Sequence, residues 1–213
     1  MKTRLERFLD IPGADQLIGA IAVSPFAITV LLVMRNFKMV WLNLPGIVYL
    51  IQYSLATVTM IVRRSPRRIS LNPWYWALTF FATYWGFLSM GFFEPGICIV
   101  PGAVTDALAL LSLLGVVWSR ISLGRNIGCV PAQRQIVTSG PYRFVRHPIY
   151  SATFLGLFGF ALQIYSPRNA VLIGLGVFLT MAKSLTEEDF LKQDSLYAAY
   201  MERVRWRWLP GVM

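Results

Sequence analysis

The single histidine of the chain, His147, stands directly before a hydrophobic segment, where it could exchange a proton or contact a ligand near neutral pH. Tyr142, Arg146 and Tyr150 lie close to it in the sequence, and Pro148 follows it. Proline is tolerated in the first turn of a helix and biases the residue before it away from helical dihedrals, so we expect His147 to cap a membrane helix. The N-terminal end of that helix favours an anionic ligand or a neutral imidazole. Ionisable groups at the edge of a bilayer are costly, which makes a functional interpretation the default.

A second set of ionisable side chains, Lys183, Glu187 and Glu188, follows the last apolar stretch. Lys183 and Glu187 are four positions apart and therefore share one helical face. Taken alone, this set is compatible with an exposed ion pair that contributes little to stability. The tyrosines near His147 are likewise compatible with an interfacial aromatic belt, and the arginines with charges that set topology. However, both sets flank one predicted helical hairpin on the same side of the membrane, so we expect them to share a pocket.

The composition indicates a membrane protein, because 56% of the 213 residues are hydrophobic, 14% are charged and the mean hydropathy is +0.55. We expect an all-α, polytopic bundle of five or six transmembrane helices, of which the last two form a hairpin. Four apolar stretches are long enough to cross a bilayer: 16–34, 39–62, 73–93 and 97–119. Two shorter stretches, 151–165 and 169–183, are separated by three residues and form the predicted hairpin.

The net charge of +10 is distributed over several loops and is not gathered on one polar domain, so nucleic acid is not expected as a partner. If the N-terminus is cytoplasmic, seventeen of the twenty lysines and arginines lie on the cytoplasmic side, and Arg35, Lys38 and Arg168 lie outside. This bias predicts a multi-pass protein with both termini and the active site in the cytoplasm. Cys98 and Cys129 fall near opposite faces of the membrane, so neither a disulfide nor a metal site is expected.

The two ends of the chain and its polar insert complete the predicted organisation. Residues 1–17 are amphipathic and charged, which favours an interfacial helix over a cleavable signal peptide. The segment 120–150 contains six glycines and prolines, too many for one continuous helix, and its residues 137–141 indicate an extended stretch that leads into a turn. An amphipathic helix is predicted over 183–205, and Trp206 and Trp208 are expected to anchor the chain at headgroup level. We therefore divide the chain into N-terminal membrane helices (1–119) and a catalytic region (120–213).

Five short motifs follow one another along the second part of the chain. They are Leu123-Gly124-Arg125-Asn126, Val137-Thr138-Ser139-Gly140-Pro141-Tyr142, Arg146-His147-Pro148-Ile149-Tyr150, Lys183 with Glu187-Glu188, and Tyr197, Tyr200 and Leu209-Pro210. Together they resemble the integral-membrane methyltransferases of the isoprenylcysteine carboxyl methyltransferase and phospholipid methyltransferase group. Each motif is weakly specific by itself, whereas their combined order and spacing are strongly specific. The usual Phe-Gly pair after the glutamates is replaced near Asp194-Ser195.

The resemblance implies that S-adenosylmethionine is held in a cytosolic pocket built from the polar insert and the C-terminal helix. The implied cofactor-binding residues are Gln135, Ile136, Val137, Tyr142, His147, Pro148, Tyr150 and Glu187. The implied catalytic residues are His147, Glu187 and Lys183, the implied substrate-binding residues are Lys183 and Arg146, and no metal is implied. Lys183 occupies a position where the family usually carries an arginine that faces the methyl acceptor. Lysine keeps the charge but lacks the planar fork that binds a carboxylate at two points.

We therefore predict an S-adenosylmethionine-dependent membrane methyltransferase for a lipid-like or hydrophobic acceptor, with O-methylation of an isoprenylcysteine-like carboxyl group as its reaction. A carboxylate is already ionised at pH 7 and needs no base. N-methylation of a phospholipid ethanolamine headgroup is the alternative, and it requires a base, for which His147 and Glu187 are candidates. A second alternative is an NADPH-dependent reductase, because sterol reductases resemble the same Arg-His-Pro region. A non-enzymatic membrane scaffold is the third.

Overall fold

The computed structural model describes residues 44–128 and 130–211, and within them the fold is mostly helical. The α-helices are α1 (Leu44–Ile61), α2 (Pro73–Leu88), α3 (Gly102–Leu123), α4 (Pro148–Gln163), α5 (Pro167–Leu191) and α6 (Ser195–Arg203). Strands β1 (Arg68–Ile69) and β2 (Ala132–Gln133) form a small antiparallel sheet. The prediction of a helical fold is confirmed. The predicted interfacial helix at 1–17 and the first predicted span at 16–34 lie outside the described residues.

Helix α3 shows the kind of surface that the bundle presents to its surroundings. Its buried side chains are mostly small or polar: Thr105, Ala109, Ser112, Val116 and Ser119. Its exposed side chains include large apolar ones: Leu110, Leu111, Leu114, Trp118 and Ile121. Small residues between helices allow close packing in membranes, where the lipid tails solvate the large apolar side chains. The distribution on α3 therefore indicates a helix with one face toward the protein and the other toward lipid.

Two helices of the described chain are long and apolar enough to cross a bilayer. They are α3 with its short extension, Gly102–Asn126, and α5, Pro167–Leu191. Helix α4 is apolar but has 16 residues. At 1.5 Å per residue it extends about 24 Å, which is shorter than the roughly 30 Å of a hydrocarbon core. The membrane character is therefore supported, and the number of five or six spans stays a prediction.

Helices α3 and α4 pack closely because small residues face each other along their contact. A Cβ atom added to Gly115 would lie 2.9 Å from Ala152 Cβ, and one added to Gly156 would lie 2.5 Å from Ser112 Oγ. The Ser112 hydroxyl donates to Ala152 O at 2.7 Å and accepts from Gln52 Nε2 of α1 at 2.7 Å. These contacts join α1, α3 and α4, while α5 packs on α4 and α2 packs on α5.

The predicted hairpin is formed by α4 and α5, and polar contacts fix its turn. The Ser166 side chain caps α5 by accepting from Asn169 N at 3.1 Å, and Pro167 is the first residue of the helix. The buried Asn169 side chain donates through Nδ2 to Ile164 O at 2.7 Å and to Glu94 O at 2.9 Å. The turn is thereby held against the segment that connects α2 with α3.

The opposite end of the bundle is organised by the α1–α2 connection and the polar insert. Besides the β1–β2 pairing, Arg64 N donates to Arg125 O at 2.8 Å and Ser70 N donates to Pro131 O at 2.9 Å. Arg134 Nε returns a hydrogen bond to Arg64 O at 2.8 Å. The end of α3, the start of α4 and the end of α5 meet at this insert, so both predicted sets of ionisable residues lie at one end of the bundle.

The chain after the hairpin differs from the prediction. Helix α5 continues through Lys183 to Leu191, and a turn precedes α6, whose N-terminus is capped by Asp194 accepting from Leu196 N at 2.9 Å. The predicted continuous amphipathic helix over 183–205 is therefore wrong. The physical reason is that the strongest helix-start signal in this region is the capping aspartate, whereas no breaker stands near Lys183. Lys183 and the two glutamates consequently project from the last turns of α5.

The substitution Gly156→Ala is expected to destabilise the protein, because the added methyl group would displace the Ser112 hydroxyl that joins three helices. We expect a loss of about 1–3 kcal/mol in the free energy of unfolding, measured as a lower melting temperature in detergent micelles. Gly174→Ala is the matched control, since Gly174 is exposed on α5 with no atom within 4 Å of an added Cβ. It should melt at or slightly above the wild-type temperature. A Gly156→Ala protein as stable as its control would contradict the close α3–α4 packing.

Candidate functional site

Two glycines with positive φ shape the polar insert between α3 and α4. Gly124, with φ 58°, ends α3, and Gly140, with φ 60°, begins a short 3-10 turn. A side chain at Gly140 would collide with Ser122, because the insert folds back over the end of α3 at this point. The chain then reaches His147, which directly precedes Pro148, the first residue of α4. The predicted helix-cap position of His147 is confirmed.

A cavity of about 280 Å³ opens at this end of the bundle, between the ends of α1 to α5, the polar insert and α6. The predicted site residues that line it are Gln135, Ile136, Val137, Tyr142, Arg146, His147, Tyr150, Lys183 and Glu187. Pro148 is buried in the first turn of α4 and is not among the lining residues. The structure thus brings together two sets of ionisable side chains that are far apart in the sequence.

Glu187 faces the cavity and lies close to three other predicted residues. Its Oε1 accepts a hydrogen bond from Tyr150 OH at 2.9 Å and lies 3.9 Å from Lys183 Nζ, while Oε2 lies 3.9 Å from His147 Nδ1. The rings of His147 and Tyr150 stack with centroids 5.4 Å apart. Among the lining residues in the described chain, Glu187 is the one carboxylate. A cationic group of a ligand therefore has one favoured position in this cavity.

Lys183 places a buried ammonium group on the wall of the same cavity. The residue is 6% exposed, and its Nζ donates to Thr83 Oγ1 of α2 at 3.2 Å. Nζ also lies 5.7 Å from the centre of the Tyr150 ring, on whose face a cation is favoured. An ammonium in this setting attracts an anionic group as a point charge, without the two-point geometry of a guanidinium.

Glu188 lies on the other side of His147 and forms the centre of a buried ion cluster. Arg146 Nε and Nη2 donate to its two carboxylate oxygens at 2.7 and 3.2 Å, and Arg207 Nε donates at 2.9 Å. His147 Nε2 lies 3.0 Å from Glu188 Oε1. Because a carboxylate only accepts, Nε2 carries the hydrogen in this contact, and Nδ1 is the ring nitrogen on the side of Glu187.

Arg146 lines the cavity, but the protein itself binds its guanidinium. In addition to the two bonds with Glu188, Arg146 Nη1 donates to Val204 O at 3.0 Å and to Arg205 O at 3.1 Å. All three nitrogens of the group are therefore engaged by acceptors of the chain. This geometry favours a structural role and does not favour the predicted contact between Arg146 and a substrate.

Residues 100–198 match the family model described as phospholipid methyltransferase. The matched region extends from α3 into α6 and contains the polar insert, His147 and the acidic pair. Over this region, the chain is similar to the phospholipid methyltransferase family. The resemblance drawn from the motifs is confirmed at the level of the family, which supports methyltransferase activity at a membrane. No curated protein sequence matches the chain.

The C-terminal segment after α6, residues 204–211, completes the site. The backbone N–H groups of Arg146 and His147 donate to Trp206 O and Arg207 O, both at 2.9 Å. Trp208 is buried between α4 and α5, where its indole N–H donates to a serine hydroxyl of α5 at 3.2 Å. Its predicted role as a headgroup-level anchor is therefore wrong. Through these backbone hydrogen bonds, the C-terminal segment holds the Arg-His-Pro sequence in place.

Three buried tyrosines line the cavity on the side of α6. Tyr200 OH donates to Tyr142 O at 2.7 Å. Burial raises the pKa of Tyr142, Tyr197 and Tyr200 well above the usual value near 10, and the neighbouring Tyr200 raises that of Tyr142 further. These phenols remain protonated at physiological pH, so they can donate hydrogen bonds or form walls but are unsuited to act as bases.

Three residues that shape this site had no predicted role: Glu188 as a group separate from Glu187, Arg207 and Thr83. One usable signal existed for Glu188, because adjacent helical residues point about 100° apart, so the two glutamates must face different surroundings. Arg207 and Thr83 offered no comparable signal. They belong to the C-terminal segment and to α2, and only the folded chain brings Arg207 to Glu188 and Thr83 to Lys183.

The substitution Glu188→Gln is expected to lower the free energy of unfolding by about 3 kcal/mol or more, because it removes the charge that compensates the buried Arg146. The measurement is thermal or denaturant unfolding in detergent micelles. Asp189→Asn is the matched control on the next residue, whose exposed carboxylate pairs with Lys192 and should contribute about 1 kcal/mol or less. Equal unfolding free energies for the two variants would be inconsistent with a buried ion cluster at Glu188.

Proposed function

We propose that this protein is an S-adenosylmethionine-dependent membrane methyltransferase that acts on a lipid-like or hydrophobic acceptor. The observation that carries the proposal is the convergence of His147, Tyr150, Lys183 and Glu187 on one cavity. All four residues belong to the region that matches the phospholipid methyltransferase family. If Lys183 and Glu187 formed only a surface ion pair and Tyr150 only part of an aromatic belt, these side chains would not need to line the same cavity.

The donor set of the cavity suits S-adenosylmethionine, which carries a sulfonium, an ammonium, a carboxylate and an adenine ring. Glu187 offers a carboxylate to a cationic group, and the tyrosines offer aromatic faces to a sulfonium or an adenine. The cavity volume of about 280 Å³ is near the lower end of the range for ligand pockets. We assign the binding of this cofactor to Gln135, Ile136, Val137, Tyr142, His147, Tyr150 and Glu187, with Pro148 fixing the backbone at His147.

When bound, S-adenosylmethionine supplies a methyl group on a positively charged sulfur. The contribution of the chain is to align the acceptor and to exclude water, because a displacement in which opposite charges cancel is favoured in a weakly polar site. Ile136 packs against the buried cluster of Tyr197 and Tyr200 and so provides an apolar wall. Tyr150 and Lys183 flank Glu187, which keeps this carboxylate at a fixed place on the opposite wall.

The acceptor that this site favours is a carboxylate, in an isoprenylcysteine-like or other hydrophobic molecule. A carboxyl group is ionised at pH 7, with a reference pKa of roughly 4, so its methylation needs no proton transfer. The Lys183 ammonium on the cavity wall can attract that anion. We assign substrate binding to Lys183, and the catalytic set to His147, Glu187 and Lys183.

N-methylation of a phospholipid ethanolamine headgroup is the second candidate, and the description of the matching family favours it. An ammonium with a pKa near about 10 must lose a proton before it attacks, so this reaction needs a base. His147 Nδ1 is a candidate, since Nε2 is held by Glu188 and Nδ1 lies 3.9 Å from Glu187 Oε2.

We further propose that the cavity faces the cytoplasm in a multi-pass protein. Seventeen of the twenty basic residues would then lie inside. In the described chain, the α1–α2 connection and the polar insert, both rich in arginine, meet at the cavity end of the bundle. The division into membrane helices (1–119) and a catalytic region (120–213) belongs to the same proposal, although α3 itself runs across that boundary.

The purified protein is expected to bind S-adenosylmethionine, and His147→Ala and Glu187→Gln should each weaken this binding more than about tenfold, since each removes a polar contact at the cofactor. The measurement is equilibrium binding to the full chain in detergent or nanodiscs. Glu202→Gln is the control, because Glu202 is exposed on α6. Preferential binding of NADPH would support the reductase alternative. Unchanged affinity in both site variants would support the scaffold alternative and contradict the proposal.

Membranes that contain the protein are expected to transfer label from methyl-labelled S-adenosylmethionine to a hydrophobic molecule, and mild alkali should release that label, as it releases a methyl ester. Label that survives alkali and migrates with phospholipid would instead support ethanolamine N-methylation. Lys183→Met should raise the KM for a carboxylate acceptor with little change in cofactor affinity. Methylation of water-soluble acceptors alone would contradict a hydrophobic substrate.

A further inference from the structure

Arg120 in the last turn of α3 has an incomplete set of polar partners although it lines the cavity. Its Nη1 donates to Thr59 Oγ1 of α1 at 2.6 Å. Its buried Nε has no hydrogen-bond partner among the described residues. Buried donors are nearly always satisfied in folded proteins, so a guanidinium with an open donor beside a cavity indicates a missing acceptor.

Within the described part of the chain, the charges around the cavity also leave Arg120 without a paired carboxylate. Arg146 is paired with Glu188, and Lys183 lies 3.9 Å from Glu187. Across residues 44–128 and 130–211, no carboxylate lies within ion-pair distance of Arg120. The titratable groups that interact with its charge are the phenols of Tyr142 and Tyr150, and a neutral phenol does not balance a cation.

We propose that Arg120 binds an anionic oxygen group, a carboxylate or a phosphate, of a ligand in this cavity. A guanidinium presents several donors in a planar fork, and the bond to Thr59 holds one edge of the group in place, while Nε has no acceptor among the described residues. The inference rests on the proposed methyltransferase function, because that function brings anionic groups to the cavity.

Two ligands of the proposed reaction could supply the anion. One is the α-carboxylate of S-adenosylmethionine, and the other is the carboxylate or phosphate of the acceptor. Arg120 extends from α3 and Lys183 from α5, so the cavity has cations on two different helices. Two separate cationic positions fit a reaction in which the cofactor and the acceptor each carry an anionic group.

The test compares wild type with Arg120→Gln, using S-adenosylmethionine and its decarboxylated analogue as binding probes on the full chain in nanodiscs. If Arg120 binds the cofactor carboxylate, the variant should lose about tenfold or more in affinity for S-adenosylmethionine and retain wild-type affinity for the decarboxylated analogue. If Arg120 binds the acceptor, both affinities should be unchanged and the KM of the acceptor should rise about tenfold or more. Either pattern supports the assignment.

Arg120→Lys keeps the charge but lacks the Nε donor, so it should show a smaller loss in the same parameter, and it replaces the glutamine variant if that protein does not fold. Arg203→Gln is the control, since Arg203 is exposed on α6 and does not line the cavity. If wild type binds the cofactor and methylates its acceptor while both Arg120 variants match it in all three parameters, the assignment of Arg120 is wrong and the proposed function stands. A wild-type protein that binds no S-adenosylmethionine overturns the proposed function and this inference together.

Discussion

The pair between Arg146 and Glu188 is the interaction on which the geometry of the site depends. It joins the residues before α4 to the end of α5 inside an apolar bundle, where an isolated charge of either sign would be strongly destabilised. The same carboxylate accepts from Arg207 and contacts His147 Nε2, so the C-terminal segment and the imidazole are positioned by one group. One acidic side chain therefore sets the relative positions of three segments that are distant in the sequence.

This arrangement places the two adjacent glutamates in different surroundings, Glu188 in the ion cluster and Glu187 on the cavity. Glu188 is 3% exposed, and both of its carboxylate oxygens are bound by side chains of the protein. Glu187 accepts one close hydrogen bond, from Tyr150, whereas His147 Nδ1 and Lys183 Nζ each lie 3.9 Å from its carboxylate oxygens, beyond ordinary hydrogen-bond distance. Its carboxylate thus retains accepting capacity toward the cavity. Because Glu188 contacts His147 Nε2, it also determines that Nδ1 is the ring nitrogen on the side of Glu187.

Features that depend on local sequence were predictable, and those that depend on contacts between distant segments were not. Apolar length and the proline after His147 predicted the hairpin and the helix cap, because both follow from the chain within a few residues. The order of the motifs predicted that His147 and Glu187 meet. The burial of Trp208 could not be predicted in this way, since an interfacial tryptophan and a core tryptophan have the same local pattern. The hydrogen bonds from the Arg146 guanidinium to Val204 O and Arg205 O could not be predicted either, because they join segments that are distant in the sequence. The end of α5 was predicted too early, because its charged residues indicated exposure to solvent. In the folded chain, these residues pair with other side chains of the protein.

The position of the cavity also restricts what can fill it. Its wall toward the bundle interior includes the small or apolar side chains of Ala56, Ala82 and Val116, and its opposite wall is the polar insert with its arginines. A purely polar molecule would not solvate the apolar wall, and a purely apolar one would displace water from the charged groups of Glu187 and Lys183 without a polar contact in return, which is costly. A ligand set that satisfies both walls must therefore combine charged groups with an apolar part. Together, a nucleoside cofactor held by the insert and an amphiphilic acceptor that reaches it from the helix side meet this requirement.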